Sequence, residues 1–234
     1  MDLIDDGDEI HFEHEGVGDA NSPILRCFVK GKNAPFAIIE SREANQLARW
    51  SLIKKDLQFS EAQLVIALNR ISKLKKSTSA LYTDTEGVII KSLVDAAIVG
   101  YVKCFNQTKG RRVKLEIINL FSTQTGKKHL ENHILLANLR NSYIAHAGIS
   151  NGEGSQMIAT VDPTNSEGGI RAGVVAHASY IPLSVETISK IHKTVRYVLS
   201  EHSNWYQNKL GDFASKVREN PEQYGVEHIF RSPT

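Results

Sequence analysis

Three residues near position 140 have side chains that can act together on a phosphodiester. Arg140 is followed at once by Asn141, and His146 comes after four further residues. A histidine titrates near neutral pH, so His146 can take a proton from an attacking hydroxyl or give one to a leaving oxygen. Arg140 can stabilise the negative charge that grows on the non-bridging oxygens, and Asn141 can orient the histidine or bind the phosphate. The structural alternatives are a helix-terminal salt bridge for Arg140 and a position favoured by the helix dipole for His146.

This order of residues resembles the signature of the HEPN superfamily (higher eukaryotes and prokaryotes nucleotide-binding domains), many of whose members are metal-independent RNases. The resemblance covers roughly residues 43–210 and puts Arg140, Asn141 and His146 at the three motif positions. It implies catalytic roles for all three, attack by the RNA 2′-OH, no cofactor or metal, and a site formed across a homodimer interface. One branch of the family carries a modified tyrosine two positions after the histidine; this chain has Gly148 there, so that modification is not carried over.

Helical geometry gives a second reason to expect two copies of the chain. On a straight α-helix, which turns by about 100° per residue, Arg140 and His146 lie roughly 240° apart and do not share a face. One such helix cannot easily bring both side chains onto one phosphate, whereas two helix ends related by a two-fold axis can. The sequence therefore predicts a homodimer whose two-fold axis passes near the ends of the helices that carry the motif.

Four long helices are predicted to position the motif. Apolar residues at steps of three and four, with N-cap and stop residues, predict helices over 42 to about 75, 86 to about 107, 126 to about 147 and 185 to about 210. The first is one helix or two nearly collinear ones with a break near 58–60. The third contains Ile134-Leu135-Leu136-Ala137, an apolar run that predicts a mostly buried helix. Residues 111–124 are compatible with a short helix or a strand.

Two hairpins are predicted outside these helices. One joins residues 24–30 to 35–39, the other joins 157–161 to 173–181, and the two are candidates to pair with each other. The predicted fold is therefore mainly α, an antiparallel four-helix bundle with a small β appendage. The predicted domains are an acidic leader and hairpin (1–40), a HEPN-like helical bundle with a β insertion at 150–182 (41–213), and a C-terminal tail (214–234).

Charge is distributed unevenly along the chain. Residues 1–20 carry eight acidic side chains and no Lys or Arg, so residues 21–234 hold all 28 basic residues against 18 of the 26 acidic ones, a net charge of +10. Such a body attracts polyanions, and the leader is either a disordered tail or an internal competitor for the same surface. If the helices alternate in direction, the cations nearest His146 are Lys73, Lys75, Lys76 and Lys91, which we predict to contact RNA. The basic segment 109–114 then lies at the opposite end of the bundle.

Two other groups of residues are weaker candidates for chemistry. His129 and His133 stand four residues apart, a spacing that can chelate a metal, but the sequence between them does not match the zinc-protease order and no third ligand is evident nearby. Cys27 and Cys104 each lie in an apolar run, which predicts reduced, partly buried thiols in a cytosolic protein. The best membrane candidate, 88–102, is short and carries charged residues, so no transmembrane span is expected.

The sequence thus predicts a cytoplasmic, dimeric HEPN-type endoribonuclease that cuts RNA without metal. Its expected role is the toxin of a toxin–antitoxin or phage-defence pair, with RNA as substrate, no membrane association, and a cognate antitoxin of nucleotidyltransferase-like or other type. Two alternatives remain open: a non-catalytic HEPN dimer that binds a nucleotide or a partner, and an unrelated helical bundle that acts as a scaffold.

Overall fold

The fold is mainly helical, with two small antiparallel sheets among the described residues. The computed structural model of the chain describes residues 10–15, 24–74, 85–107, 109–144, 153–161, 172–180 and 183–230. Its helices are α1 (Arg42–Lys73), α2 (Thr85–Lys103), α3 (Ile117–Phe121), α4 (Gln124–Asn138), α5 (Val185–Glu219) and α6 (Glu227–Phe230). A π-helical turn, Leu139–Ile144, continues α4, and a 3-10 turn, Pro221–Tyr224, precedes α6. In the described part of the chain no helix is long and apolar enough to cross a membrane.

The strands form one three-stranded sheet and one hairpin. The sheet contains β1 (Ile10–Glu15), β2 (Ile24–Val29) and β3 (Lys32–Ala34) in that order, and the hairpin pairs β4 (Glu153–Val161) with β5 (Ala172–Tyr180). The predicted insertion hairpin is confirmed, with a first strand that begins four residues earlier than expected. The described strands of the two sheets do not pair with each other.

The N-terminal sheet differs from the predicted hairpin in two ways. The turn between β2 and β3 is tight, with positive φ at Lys30 (50°) and Gly31 (72°), as two-residue hairpin turns require. Residues 32–34 therefore form the returning strand, and the prediction of a strand over 35–39 is wrong. Pro35, which has no N–H to donate to a sheet, follows β3 directly. In addition, β1 lies within the acidic leader, so part of that leader is an ordered strand.

The chain divides into two compact units, one made of residues 1–50 with 204–234 and the other of residues 51–203. Both divisions fall inside long helices, α1 and α5. The reason lies in the core of the first unit, where Leu47 packs with Phe213, Val217 and Val226. Residues assigned from the sequence to a polar tail thus help to bury a core.

Helix α1 is continuous, without a break near residues 58–60. In the 51–203 unit its buried residues, Ile53, Leu57, Ser60, Leu64 and Ala67, follow one another at steps of four and three, as in a coiled-coil seam. Ion pairs fix the direction of α2 beside it: Arg70 Nη1 lies 2.7 Å from Glu86 Oε2, and Lys103 Nζ lies 3.2 Å from Asp56 Oδ2. The end of α1 therefore meets the start of α2, and the two helices are antiparallel.

Helix α4 is less buried than its apolar run predicts. Its buried residues are Gly126, His133 and Leu136, whereas half of the surface of Ile134 is exposed. Four consecutive residues of a helix span about 300° of its circumference, so a run of four apolar residues places at least one outside the packed face. The prediction of a mostly buried helix is wrong for α4, and an apolar side chain remains on its surface.

Candidate functional site

The predicted catalytic motif begins in the π-helical turn that ends α4. The N–H of Leu139 donates to the carbonyls of Leu135 and Leu136, and the winding then changes to the wider π form through Ile144. Asn141 and Ser142 are weak helix formers, so α-helical winding is less stable in this segment than in the preceding one. π-Helical turns at the ends of or inside α-helices occur frequently at functional sites. Arg140 and Asn141 thus lie at a local departure from regular α-helix.

Two of the three predicted catalytic residues are brought together. Arg140 is partly buried and Asn141 is exposed, and Nη1 of Arg140 donates a 3.0 Å hydrogen bond to Oδ1 of Asn141. This bond restrains the orientation of the guanidinium group and of the amide together. Both groups retain further N–H donors, which suit the oxygens of a phosphate. The third residue, His146, lies outside the described residues.

The π turn changes one premise of the sequence argument. The separation of roughly 240° between Arg140 and His146 assumed a straight α-helix. A π turn closes its hydrogen bonds over five residues instead of four and so winds through a smaller angle per residue. Straight-helix geometry therefore does not apply from residue 139 to residue 144, and the case for a composite dimer site depends on the family resemblance.

The π turn packs on α2. Earlier in α4, His133 Nδ1 lies 3.0 Å from the hydroxyl of Tyr101, which is near the C-terminus of α2. Because α4 continues along α2 from this point, the two helices are antiparallel. The π turn therefore packs on an earlier part of α2 than Tyr101.

The four lysines predicted to contact RNA are not equivalent. Lys91 lies on α2, where its ammonium pairs with the carboxylate of Asp95, one helical turn further on. Lys73 is exposed at the end of α1. Lys75 and Lys76 lie outside the described residues.

The two histidines with metal-ligand spacing belong to an aromatic cluster. The ring of His133 is buried against Phe105 and Phe121, with centroids 4.4 Å and 4.9 Å away. His129 stacks on Tyr197 of α5 at 4.5 Å with nearly parallel rings, and its Nδ1 lies 3.1 Å from Oγ1 of Thr194. One ring nitrogen of each histidine is therefore engaged by a hydroxyl. Within the described ranges, no three His, Cys, Asp or Glu side chains converge so that they could hold a metal ion.

Burial keeps the ionisable groups of this cluster uncharged. It lowers the pKa of His133 below the ordinary 6.5. Burial, and then the positive charge of Lys128, lowers the pKa of His129 in the same direction. Burial also raises the pKa of Tyr101 well above its ordinary value. The cluster is therefore neutral at neutral pH and joins α2, α4 and α5 through rings and hydroxyls.

The basic segment after α2 is tied to α1. The guanidinium of Arg111 and the ammonium of Lys103 both pair with the carboxylate of Asp56. Cys104 lies beside them with its Sγ 3.3 Å from the carbonyl of Gly100, and burial, then the charge of Asp56, raises the pKa of this thiol to about 12. A thiol that stays protonated is a poor nucleophile. Both Cys104 and Cys27 are free and buried.

A second candidate site, missed from the sequence, is a groove in the unit formed by residues 1–50 and 204–234. Its lining comes from α1 and α5 and includes Trp50 and Trp205. A signal for it exists in α1, where Glu43, Gln46 and Trp50 recur at steps of three and four and so share one helix face. The sequence alone could not indicate that Trp205 lies opposite.

Comparisons of the chain with protein-family models, with curated proteins and with solved structures find no match. The features that bear on function are therefore the motif, the geometry of the π turn and the chemistry of the two candidate sites.

Proposed function

We propose that this chain is a metal-independent endoribonuclease of the HEPN type, with Arg140, Asn141 and His146 as its catalytic residues. The observation that carries the proposal is the hydrogen bond from Arg140 to Asn141 in the π turn that ends α4. It aligns two phosphate-binding side chains at a helix end, five residues before a histidine. Groups held in this way need little reorganisation when charge develops on a bound phosphate.

The reaction that suits these groups is transesterification. His146 accepts the proton of the RNA 2′-OH, the 2′-oxygen forms a bond to phosphorus, and the bond from phosphorus to the 5′-oxygen breaks. His146, protonated by that transfer, then gives the proton to the departing 5′-oxygen. Arg140 neutralises the charge on the non-bridging oxygens, and Asn141 donates to the same phosphate. The products are a 2′,3′-cyclic phosphate and a 5′-hydroxyl.

An antiparallel four-helix bundle is the scaffold we propose for this site. Within the 51–203 unit, ion pairs join α1 to α2, Tyr101 and His133 join α2 to α4, and stacked rings join α4 to α5. His192 and Glu61, 3.0 Å apart, join α5 back to α1. A closed cycle of neighbours of this kind supports a bundle.

A homodimer with its two-fold axis near the π turns would bring two copies of the motif together. The half-exposed Ile134, six residues before Arg140, supports this arrangement because it offers apolar surface that a partner would bury. A single side chain gives only part of such an interface, so the oligomeric state needs its own measurement. Light scattering at micromolar concentration should give the mass of a dimer, and a monomer would contradict this part of the proposal.

The proposed setting is the cytoplasm, as the toxin of a toxin–antitoxin or phage-defence pair, with a cognate antitoxin of nucleotidyltransferase-like or other type. The net charge of +10 on residues 21–234 supports an RNA substrate. Lys73, Lys75 and Lys76 are the proposed RNA contacts, and Lys91 contributes if phosphate displaces Asp95.

The test is cleavage of labelled single-stranded RNA in excess EDTA. The wild-type chain should cut at an undiminished rate and leave 2′,3′-cyclic phosphate ends. His146→Ala should be inactive, whereas His228→Ala, which changes an exposed histidine of α6, should match the wild type. Activity that disappears with EDTA and returns with Mg²⁺ would overturn the mechanism, and wild-type protein that cuts no RNA would overturn the proposed function.

A further inference from the structure

The groove between α1 and α5 in the first unit contains none of the proposed catalytic residues. Its lining residues come from both helices: Glu43, Gln46, Leu47 and Trp50 of α1, and Trp205 and Lys209 of α5. Trp50 lies beside Trp205, and Glu43 lies beside Lys216, so the two helices are antiparallel in this unit. The volume of about 210 Å³ is large enough to accept a small planar molecule.

An aromatic corner forms one end of the groove. The rings of Trp50 and Trp205 meet edge to face, with centroids 4.9 Å apart and planes inclined at 67°. Trp205 keeps 39% of its surface exposed although it is one of the largest apolar side chains. A ring face beside the edge of a second ring offers a stacking surface for a planar group, and nucleobases stack well on tryptophan.

Polar side chains continue the groove away from the tryptophans. The amide of Gln46 offers one acceptor and two donors, which can match the edge of a base. Glu43 uses Oε1 to accept a 2.8 Å hydrogen bond from Lys216 Nζ, and its other oxygen can accept from a ribose hydroxyl, a common role of carboxylates at nucleotide sites. Beyond it a wider stretch of about 430 Å³ is lined by Lys209, Ser215 and Lys216, which suit a phosphate.

The charge of this wider stretch limits the number of phosphates. Three carboxylates, those of Asp212, Glu219 and Glu43, accompany the two cations Lys209 and Lys216. Lys216 pairs with Glu43, and Lys209 Nζ lies 3.8 Å from Asp212 Oδ2. A triphosphate would meet uncompensated repulsion there, whereas a single phosphate can pair with the two ammonium groups if it displaces the carboxylates of Asp212 and Glu43 from them. The chemistry therefore favours one nucleoside monophosphate unit over a polyphosphate or a strongly charged duplex.

We propose that this groove binds one nucleotide unit, with the base on Trp50 and Trp205, the ribose at Glu43, and the phosphate at Lys209 and Lys216. The same chemistry has two sources, a free nucleoside monophosphate or an unpaired nucleotide of single-stranded RNA. The RNA source rests on the proposed function, because it would make the groove a substrate contact. Binding of a free nucleotide does not depend on RNA cleavage.

Tryptophan fluorescence provides a direct assay, because Trp50 and Trp205 are the two tryptophans of the chain. The full-length His146→Ala variant, which is not expected to cut RNA, is titrated with adenosine, AMP, CMP, ATP and a short single-stranded RNA. Each titration is repeated by calorimetry. AMP should quench the fluorescence saturably. CMP should bind more weakly because a pyrimidine offers less stacking area, and ATP should bind no more tightly than AMP.

Three substitutions on this background separate binding at the groove from binding elsewhere. Trp205→Leu should weaken AMP binding at least about fivefold by calorimetry, the lower limit for loss of a stacked base. Lys209→Ala should weaken AMP but leave adenosine unchanged. Lys190→Ala, an exposed lysine of α5 in the other unit, is the matched control and should bind like its parent. Lys209→Ala removes an exposed side chain, so it decides the question if Trp205→Leu does not fold.

The results of these titrations either identify the source of the bound nucleotide or rule out the groove as a binding site. AMP binding that depends on Trp205 and Lys209 supports a free nucleotide, and binding of RNA alone with the same dependence supports an RNA contact. Absence of quenching and heat with every probe at millimolar concentration, or binding that neither substitution changes, would overturn the proposal. AMP binding by a protein that cuts no RNA would remove the proposed function while leaving this site intact.

Discussion

Replacing Gly126 by alanine should destabilise the protein even though alanine is the better helix former. Gly126 is the third residue of α4, and its N–H donates a 3.0 Å hydrogen bond to Oγ1 of the N-cap Thr123. A Cβ atom at this position would meet the carbonyl oxygen of Leu120, and would lie 2.8 Å from Cα of Phe121 and 2.9 Å from the hydroxyl of Tyr197. Two of these three contacts are with backbone, which cannot move aside by a change of rotamer.

The expected change in the free energy of unfolding is the sum of two destabilising effects and one stabilising effect. Overpacking of a close contact costs about 1–3 kcal/mol. Displacement of Leu120 or Tyr197 also weakens the 2.7 Å hydrogen bond between the Tyr197 hydroxyl and the Leu120 carbonyl, which contributes about 1 kcal/mol. The higher helix propensity of alanine stabilises the folded state by at most about 1 kcal/mol. We therefore expect a net loss of about 2 kcal/mol, equivalent to a fall in Tm of roughly 4–8 °C for a chain of this size.

Two other glycines provide matched controls. A Cβ at Gly110 would have no neighbour within 4 Å, so Gly110→Ala should be neutral or stabilising by up to about 1 kcal/mol. At Gly100 the close atom is Oγ of Ser60 at 2.6 Å, a hydroxyl that can rotate, so Gly100→Ala should fall between the two. Urea unfolding followed by circular dichroism measures all three. If Gly126→Ala is as stable as Gly110→Ala, the close approach of α3, α4 and α5 is wrong.

Three further predictions concern pH, helix capping and thiol reactivity. The pKa values of His129 and His133 are lowered in the folded state, so as the pH falls the unfolded state binds protons before the folded state does. The two neutral histidines therefore contribute to stability above their ordinary pKa of 6.5, and this contribution is lost as the pH falls through their lower folded pKa values. The free energy of unfolding should decline as the pH falls through 6.5 and below, and His133→Gln should reduce that decline; an equal decline in the variant would contradict this assignment. Ser41→Ala should cost about 1 kcal/mol in chemical denaturation, because the Ser41 Oγ accepts from the Ala44 N–H at 3.0 Å and caps α1; an unchanged midpoint would argue against that cap. Cys104 should react with a thiol reagent only after unfolding, because its buried thiol remains protonated, and rapid labelling of native protein would disprove this.

The elements that local periodicity specifies were predicted well. The stripe that includes Leu64, Ala67 and Ile71 predicts the second half of α1, and the stripe from Ile90 to Tyr101 predicts α2, because each records a packed helix face in consecutive turns. The inserted hairpin was found from its alternation and glycines. By contrast, Val226 has only Ile229 and Phe230 as apolar neighbours at helical spacing, a stretch too short to indicate what it packs against, so its burial with Leu47 could not be predicted.

The candidate sites show the same division between local and long-range information. The motif position was visible in the sequence, whereas the π winding depends on hydrogen bonds at the end of α4 and on packing against α2. The spacing of His129 and His133 was also visible, but their partners, Thr194 and Tyr101, come from other helices. A spacing of four residues reports a shared helix face and does not report what that face contacts.

The central claim, that Arg140 and His146 of two chains form the catalytic site, is tested most directly by mixing two inactive variants. Arg140→Ala and His146→Ala homodimers should each be nearly inactive toward RNA, because each change removes one group from both sites. When the two are refolded together, random exchange makes about half of the dimers mixed. In a mixed dimer both lesions fall in one site and the other is complete, so about a quarter of wild-type activity should return. A parent variant that retains wild-type activity, or a mixture no more active than its separate parts, would contradict the shared site.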